Sequence, residues 1–363
     1  MKTICAIVFI LAASLKTSAQ LVNTATLDTT DFAFQGKVTV EGYIDSYYAY
    51  NFNRPVGKNQ PYFVSMARDR EININLAFID VKYSSSSLRA RFVPGFGTYI
   101  NENYESERGT LKNIVEASAG FRVAAKRNVW IDAGVFGSPY TNESAISKDH
   151  LAYTRSFAPE YVPYYLTGIK ASVALSGKIT GYLYLLNGWQ QIQDQNDRLA
   201  VGTQVEYRPT DYLLLNWDTY IGDERSAADS TVGKRYFSDI YLIYSRGKFS
   251  FTTSVYAGIQ QQANSNARWW QANVIARYNL TQKLSITARI EHFSDPHQIH
   301  IIPMNGSAFN VSGSSLGLNY KLAQNVLIRL EGRSFIADEN VYSRNEIFVN
   351  NSTTITSNIT MWF

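Results

Sequence analysis

The carboxy-terminal stretch of the chain alternates apolar and polar side chains up to an aromatic last residue. Counting back from Phe363, the apolar side chains Met361, Ile359 and Ile355 fall at alternate positions, and Thr360 and its polar equivalents fall between them. Side chains two residues apart lie on the same face of a β-strand. The segment therefore predicts a strand with one apolar and one polar face, and such a strand needs a covering for its apolar face.

The same alternation recurs along the chain and places charges on one face only. Leu88, Ala90 and Phe92 alternate with Arg89 and Arg91, and segments 129–135, 284–291 and 326–333 repeat this division. An Arg or Lys facing lipid at the bilayer midplane costs about 2–4 kcal/mol, so these charges are predicted to face inward. The pattern indicates an apolar outside and a polar, hydrated inside.

Hairpins are the repeating unit of the chain. Seven short turns join fourteen predicted strands. One further strand opens near residue 37 and another closes at Phe363, so the predicted number of strands is sixteen. The alternatives are 14 or 18 strands, if hairpins were merged or missed. Closed antiparallel barrels need an even number of strands. Seven short polar turns separate paired segments, at 84–87, 125–128, 176–178, 208–211, 245–248, 281–283 and 321–325.

Longer polar connections alternate with these turns. In bacterial barrels the short turns face the periplasm and the longer loops face outward, so the direction of each strand is predicted as well. The expected fold is an all-β transmembrane antiparallel barrel. The eight predicted loops are at about 53–69, 100–111, 137–161, 188–197, 222–234, 261–267, 294–307 and 336–350.

Composition agrees with a barrel in lipid better than with other classes. No run of eighteen apolar residues follows the first nineteen, which excludes a helical span. The 25 tyrosines suit interfacial aromatic girdles. A soluble β-sandwich shares the alternation and the hairpins, but a regular exchange of short turns and long loops over sixteen strands is not expected of it. The small net charge of +4 gives no support to nucleic-acid binding.

The amino terminus has the layout of a secretory signal peptide. Lys2 precedes an apolar run from Ile4 to Leu15, and small residues end at Ala19, so residues 1–19 are predicted to be removed. The one cysteine, Cys5, leaves with them, so the mature chain is expected to have no thiolate metal site. Residues 20–36 would form a short periplasmic segment, too short for the plug of a TonB-dependent transporter, and 37–363 would form the barrel.

Two segments resemble a known family. The opening strand, residues 42–55, and the segment Val135-Phe136-Gly137-Ser138-Pro139-Tyr140 with its continuation to Gly168 are similar to the OmpL-like β-barrel porins of Bacteroidetes. This resemblance implies a passive porin in the bacterial outer membrane, surrounded by lipid. The ending at Phe363 resembles the closing strand of outer-membrane barrels, in which the barrel assembly machinery reads a terminal aromatic. A homo-oligomer, such as the trimer of general porins, is left open.

The alternation also predicts which charges line the lumen. Eight bases face nine acids, which favours a weakly selective pore for small hydrophilic solutes, although the same charges could pair into a plugged structural core. The predicted pore-lining residues are Arg89, Arg91, Arg122, Lys170, Arg277, Arg289, Arg329 and Arg333 with Glu41, Asp45, Glu116, Asp132, Glu206, Asp218, Asp239, Glu291 and Glu331.

The third and longest connection, 137–161, is a candidate constriction. General porins resemble it in folding their third loop into the lumen, and the alternative is an external lid or a plain surface loop. The loop charges that would narrow the pore are Glu143, Lys148, Asp149, Arg155 and Glu160.

Catalysis and cofactor binding have little support. Of four histidines, His292, His297 and His300 lie close together, but their spacing matches no metal motif, and no nucleophile and base are specified. Glycine-rich phosphate loops are absent. No cofactor, metal or enzymatic activity is therefore expected. The sequence predicts a diffusion porin, with a non-conducting barrel in a binding or structural role as the alternative.

Overall fold

The computed structural model describes residues 36–363, except 125, 127, 226–230 and 264. The predicted signal peptide, 1–19, and the predicted segment 20–36 lie outside the described residues, apart from Gly36.

Alternating sequence segments form long strands that close on themselves. Strands β1 to β15 and β18 make one antiparallel barrel of sixteen strands, in which β1 pairs with both β2 and β18. The predicted fold and strand number are confirmed. The strands are β1 Lys37–Asn51, β2 Ile72–Ser84, β3 Leu88–Phe96, β4 Ile114–Ala124, β5 Val129–Gly137, β6 Tyr165–Ala174, β7 Ile179–Leu186, β8 Ala200–Thr210, β9 Leu213–Asp223, β10 Val232–Arg246, β11 Phe249–Gln262, β12 Asn266–Asn279, β13 Leu284–Asp295, β14 Phe309–Ala323, β15 Val326–Ala337, β16 Tyr342–Arg344, β17 Ile347–Val349 and β18 Asn351–Trp362.

Among the residues that the structure describes, helical segments lie only in the connections. Helix α1 is Thr98–Asn103 and helix α2 is Phe157–Glu160, and short 3₁₀ turns lie at Val56–Lys58, Gly109–Asn113 and Ser147–Asp149. Ser156 caps α2 because its side chain accepts a hydrogen bond from the backbone N–H of Ala158. Within the described part of the chain, no helix has the length and apolarity needed to cross a membrane.

The seven short turns lie where they were predicted, at what we call the turn end of the barrel. The opposite, loop end carries the longer connections, which we number 1 to 8. The sixth is shorter than predicted, only 263–265, because β11 and β12 continue past the expected strand boundaries. The small hairpin of β16 and β17 lies within the eighth. The eight connections are 52–71, 97–113, 138–164, 187–199, 224–231, 263–265, 296–308 and 338–350.

The last residue closes the barrel against the first strand. The N–H of Phe363 donates to the carbonyl of Gly42 at 3.0 Å, and the N–H of Gly42 donates to the carbonyl of Phe363 at 2.8 Å. The Phe363 ring occupies the space beside Gly42, where a Cβ would come within 2.2 Å of a ring atom. Only glycine therefore fits at position 42 without moving the terminal aromatic.

The two faces of the wall differ as the alternation predicts. Ile240, Val255 and Ile290 point outward and are more than half exposed. Their neighbours Asp239 and Ser254 point inward and are fully buried. Apolar side chains thus cover the outside of the barrel, where lipid would contact them, and polar side chains line the inside.

One irregularity was visible in the sequence. Pro94 stands inside a predicted strand between Val93 and Gly95, and proline removes a donor from the hydrogen-bond ladder. The pairing of β3 with β4 shifts register between Val93 and Pro94. The proline is therefore accommodated by a local irregularity, and the barrel continues past it.

Candidate functional site

Loop 3, residues 138–164, crosses the inside of the barrel. It leaves from β5, yet the N–H of Phe157 donates to Glu291 on β13 at 2.7 Å, and β13 lies eight positions from β5 in the sixteen-strand ring. The N–H groups of Tyr153 and Thr154 donate to Glu331 on β15 at 3.0 and 2.7 Å. The loop is thus attached to the opposite wall.

Buried charges on that wall hold the loop. Arg289 forms ion pairs with Glu331 at 2.8 Å and with Glu291 at 3.2 Å, and Arg333 pairs with Glu291 at 2.7 Å. Arg289 also donates to the carbonyl of Thr154 at 2.6 Å. All four charged side chains are at most 5% exposed. We call these four residues the arginine network. Because a buried charge without a partner is costly, the loop position and the arginine network stabilise each other.

Arg329 and Arg155 fix the shape of loop 3. Arg329 donates to the carbonyl and the hydroxyl of Ser147 at 2.8 and 2.7 Å, which brings the start of the 3₁₀ turn against β15. Arg155 is fully buried inside the loop itself. Its guanidinium donates to the loop carbonyls of Ser144, Tyr153 and Ala145.

The five charges predicted in loop 3 have different surroundings. Glu143 accepts from the N–H of Ser156 at 3.0 Å, and Glu160 accepts from the N–H of Val64 at 2.7 Å. Burial raises the pKa of both carboxyl groups above their ordinary value. Lys148 and Asp149 instead form a loose pair, 3.8 Å apart, at the surface of the loop.

Apolar side chains pack together at the loop end of the lumen. We call these residues the aromatic cluster, and Phe157 of α2 lies at its centre, with ring centroids 5.3 Å from Phe335 and 5.7 Å from Phe293. Loops 1, 3, 4, 7 and 8 all contribute. Its aromatic members are Tyr62, Phe63, Phe136, Tyr140, Phe157, Tyr161, Tyr182, Tyr184, Trp189, Tyr220, Phe237, Tyr256, Trp269, Phe293, Phe309, Phe335 and Tyr342.

The wall of β2 to β6 encloses a charged cavity instead. This cavity, which we call the turn-end vestibule, has a volume of about 460 Å³ and extends from Ser84 beside the first turn to Ser138 at the start of loop 3. Arg91 pairs with Asp80 and Glu116, each at 2.7 Å. The charged side chains that line the vestibule are Lys82, Arg89, Arg91, Glu116, Asp132 and Lys170.

In the two arginine pairs of the vestibule with Asp132 and Asp80 the base is more exposed than the acid, whereas Glu41, which pairs with Lys82 near the turn end, is 51% exposed. Arg89 is 37% exposed and its partner Asp132 is 6% exposed. Arg91 is 30% exposed and its partner Asp80 is 2% exposed. The carboxylates therefore lie behind the guanidinium groups, and the groups that meet water are mainly cationic.

The wall of β8 to β10 carries acids that are withdrawn from water. Asp218 and Asp239 are direct partners in the register of β9 and β10, and both are fully buried. Asp239 accepts from the N–H of Thr141 at 2.7 Å and from the hydroxyl of Ser254 at 3.0 Å. Glu206 lies on the neighbouring strand, within 3.4 Å of the hydroxyl of Tyr182.

The remaining predicted residues are spread over the lumen. Asp45 is buried and accepts from Asn358 at 2.9 Å, and Glu41 pairs with Lys82 at 3.3 Å near the turn end. Arg122 reaches the carbonyl of Ser86 at 3.5 Å. Arg277 forms no ion pair within the part of the chain that the structure describes. Most of the predicted residues thus belong to a vestibule group, an acidic wall or the arginine network, and these four lie outside all three groups.

Sequence reasoning missed two vestibule residues and most of the loop contacts. Asp80 and Lys82 alternate with Ile79 and Val81, so the signal that selected Arg89 and Arg91 would also have found them. The role of Thr154 as a hydrogen-bond partner of Arg289 and Glu331 has no such signal, because it depends on where the loop folds.

The histidines singled out in the sequence lie in separate environments. His292 points outward from β13 and bonds to Ser312 at 3.0 Å, whereas His300 of loop 7 packs on Trp269 with ring centroids 4.7 Å apart. Burial, with Arg235 close by, holds the pKa of His300 well below its ordinary value. Over the described residues, no group of three or more candidate ligands could hold a metal ion.

A sixteen-strand barrel with an apolar outside, a charged lumen and a third loop folded inward has the architecture of an outer-membrane porin. The family described as "Putative beta-barrel porin-2, OmpL-like" matches residues 37–363. The chain belongs to this family, and it is an outer-membrane porin that allows passive diffusion. The resemblance found in the sequence is thereby confirmed.

Solved structures share the fold at low sequence identity. The outer membrane channel DcaP of Acinetobacter baumannii is similar with a TM-score of 0.63 at 9% identity, over 93% of this chain and 100% of that one. OmpF of Salmonella typhi in complex with daunomycin gives 0.62 at 15% identity, over 91% and 98%. An anion-selective porin from Comamonas acidovorans gives 0.60 at 9% identity, over 90% and 100%. No curated protein matches the chain.

Proposed function

We propose that this porin conducts small hydrophilic solutes along a path that loop 3 narrows and the inward charges line. Loop 3 occupies the lumen and is fixed to the far wall by Glu291 and Glu331, so solutes must pass beside it. This attachment to the opposite wall is the observation that carries the proposal. The lining charges in this proposal are the inward charges that keep contact with water, such as Arg89 and Arg91, together with Lys82.

The contacts of Glu143, Arg155 and Glu160 give loop 3 a defined shape rather than a charged edge. All three are buried within the loop or against loop 1. We propose that they set the position of the loop, and that Lys148 and Asp149 are the loop charges that meet solute.

Single-channel recording in planar bilayers tests the path. Deletion of residues 141–155 removes the part of loop 3 that crosses the lumen, so we expect stepwise conductance to rise several-fold over the full chain. A matched deletion within loop 8, residues 343–348, removes the small hairpin and leaves loop 3 attached, and it should change conductance much less. Equal conductance of the full chain and the 141–155 deletion would overturn the role of loop 3.

A closed barrel with a binding or structural role is the second candidate. It is favoured by the aromatic cluster, in which side chains from β5 to β15 and from five loops pack together at the loop end. If this cluster stays closed in the membrane, the full chain will be silent in bilayers, and the 141–155 deletion will be silent or open only rarely.

Export and assembly complete the proposal. We infer that residues 1–19 direct secretion and are removed, and that the barrel assembly machinery recognises Phe363 before this residue pairs with Gly42 in the closed barrel. OmpT of Vibrio cholerae, a similar fold at 11% identity, is described in a trimer form, and a trimer is the oligomer we would test first here.

A further inference from the structure

We infer that the turn-end vestibule binds small oxyanions, with carboxylate or phosphate groups, and makes the porin prefer anions. The preference rests on the proposed solute path, whereas the binding site stands on its own cavity. Overall charge gave no selectivity, because eight predicted bases face nine acids. What decides selectivity is which of these charges meet water at the path.

The vestibule is large enough for such a ligand and is lined by an excess of bases. Its volume of about 460 Å³ is within the usual range for small-molecule sites. Four bases and two acids line it. Three serines, Ser84, Ser118 and Ser138, also line the cavity, and their hydroxyls can donate to an anion.

Two cationic groups have donors to spare. Arg89 uses its Nε and one terminal nitrogen on Asp132, which leaves the other terminal nitrogen without a partner among the described residues. Lys170 forms no ion pair with any described residue. Its Nζ lies 4.7 Å from the ring centroid of Phe136. An oxyanion between these side chains would satisfy both groups with charge-assisted hydrogen bonds.

The acids of the vestibule do not cancel this effect. Asp80 and Asp132 are almost fully buried behind Arg91 and Arg89, and Glu116 is 15% exposed. The acids Asp218 and Asp239 on the other wall are fully buried and already accept hydrogen bonds. Glu41 near the turn end is 51% exposed, but it is paired with Lys82 and does not line the cavity. An ion inside the vestibule therefore meets mainly cationic groups.

Lys170→Gln is the variant that tests the site with the least risk to folding, because Lys170 forms no ion pair that its loss would break. The measurements are the reversal potential in a KCl gradient and the block of chloride current by inorganic phosphate. We expect the full chain to prefer chloride over potassium. Lys170→Gln should reduce this preference about twofold, the size expected for one unit charge about 8 Å from the path in water.

Two further variants give the direction of the effect. Glu116→Gln removes a lining acid and should increase the preference for chloride. Lys178→Gln changes a base in the turn between β6 and β7, outside the cavity, and should leave both the reversal potential and the phosphate block unchanged. A preference for potassium, or equal effects of Lys170→Gln and Lys178→Gln, would overturn the inference while the porin function stands.

Phosphate binding to the purified barrel in detergent, followed by ³¹P line broadening, does not depend on conduction. Broadening that Lys170→Gln reduces and Lys178→Gln does not supports the site. If the full chain is silent in bilayers but binds phosphate in this way, the solute path fails and the anion site remains. If the full chain binds no phosphate, the site is overturned whatever the channel recordings show.

Discussion

The two ends of the lumen place their inward-facing charges in opposite environments. At the loop end, Phe157 and its neighbours exclude water, and the charges beneath them are paired and buried. At the turn end, the vestibule keeps Arg89 and Arg91 partly in water, with their acids behind them. Inward charge alone therefore does not define a pore lining, because the exposure of each charged side chain decides whether a solute can contact it.

The largest effect is expected from breaking the arginine network. Arg289→Met removes the partner of two buried carboxylates, Glu291 and Glu331, and should lower the free energy of unfolding by about 3–5 kcal/mol, measured by urea titration in detergent. The comparison variant, Arg89→Met, should cost about 1 kcal/mol or less, because Arg89 is partly exposed and Lys170 lies opposite Asp132 in the strand register. Equal losses would mean that the two ends do not differ in this way.

The aromatic cluster should be nearly as sensitive. Phe157→Ala leaves a cavity among Phe63, Phe293 and Phe335, so we expect a loss of about 3 kcal/mol in the free energy of unfolding and a noisier single-channel current as loop 3 loosens. Phe348→Ala, at a partly exposed position in β17, serves as the control and should have little effect. An unchanged current in Phe157→Ala would show that the cluster does not hold the loop.

The stability of the barrel closure should fall when a side chain is added at position 42. Gly42→Val places methyl groups where the Phe363 ring lies, and the displaced ring should weaken the pairing of β1 with β18 by about 2 kcal/mol. Gly332→Ala is the matched control, because nothing lies within 4 Å of the added Cβ. Heat modifiability on gels and urea titration both measure the difference, and equal stability of the two variants would contradict it.

The smallest effect concerns pH. His300 is half-buried in loop 7 against Trp269, and desolvation lowers its pKa, so its neutral form stabilises the folded state. This contribution is complete above the ordinary pKa of 6.5 and is lost as the pH falls below it, by up to about 1.4 kcal/mol per pH unit. His300→Phe should therefore lose less stability than the native chain between pH 6.5 and pH 5 in urea titrations.

The comparison between the native chain and His300→Phe removes the effect of groups whose protonation changes stability in the opposite direction. Burial raises the pKa of Glu143 and Glu160, so protonation of these carboxyls favours the folded state as the pH falls. Because both variants keep these two residues, their effect cancels in the comparison. Parallel pH profiles of the native chain and His300→Phe would show that His300 is not desolvated in the folded protein.

The wall of the barrel could be predicted from the order of residues along the chain. Alternation in segments such as Leu88 to Phe92 placed every second side chain on one face, and lipid allows no charge on the outer face, so the barrel, its strand number and its turns were predictable. Even the irregularity at Pro94 followed from local chemistry, because a proline cannot donate to the ladder.

The contents of the barrel, in contrast, depend on contacts between segments that are distant in the sequence. Loop 3 meets β13 and β15 more than a hundred residues further along the chain, and no periodicity records a contact between a loop and a distant wall. Whether an inward charge such as Arg289 or Arg89 is buried or meets water depends on that contact. The two faces of the barrel wall are set by the order of side chains along each strand. The solute path is set by the segments that pack together inside the lumen.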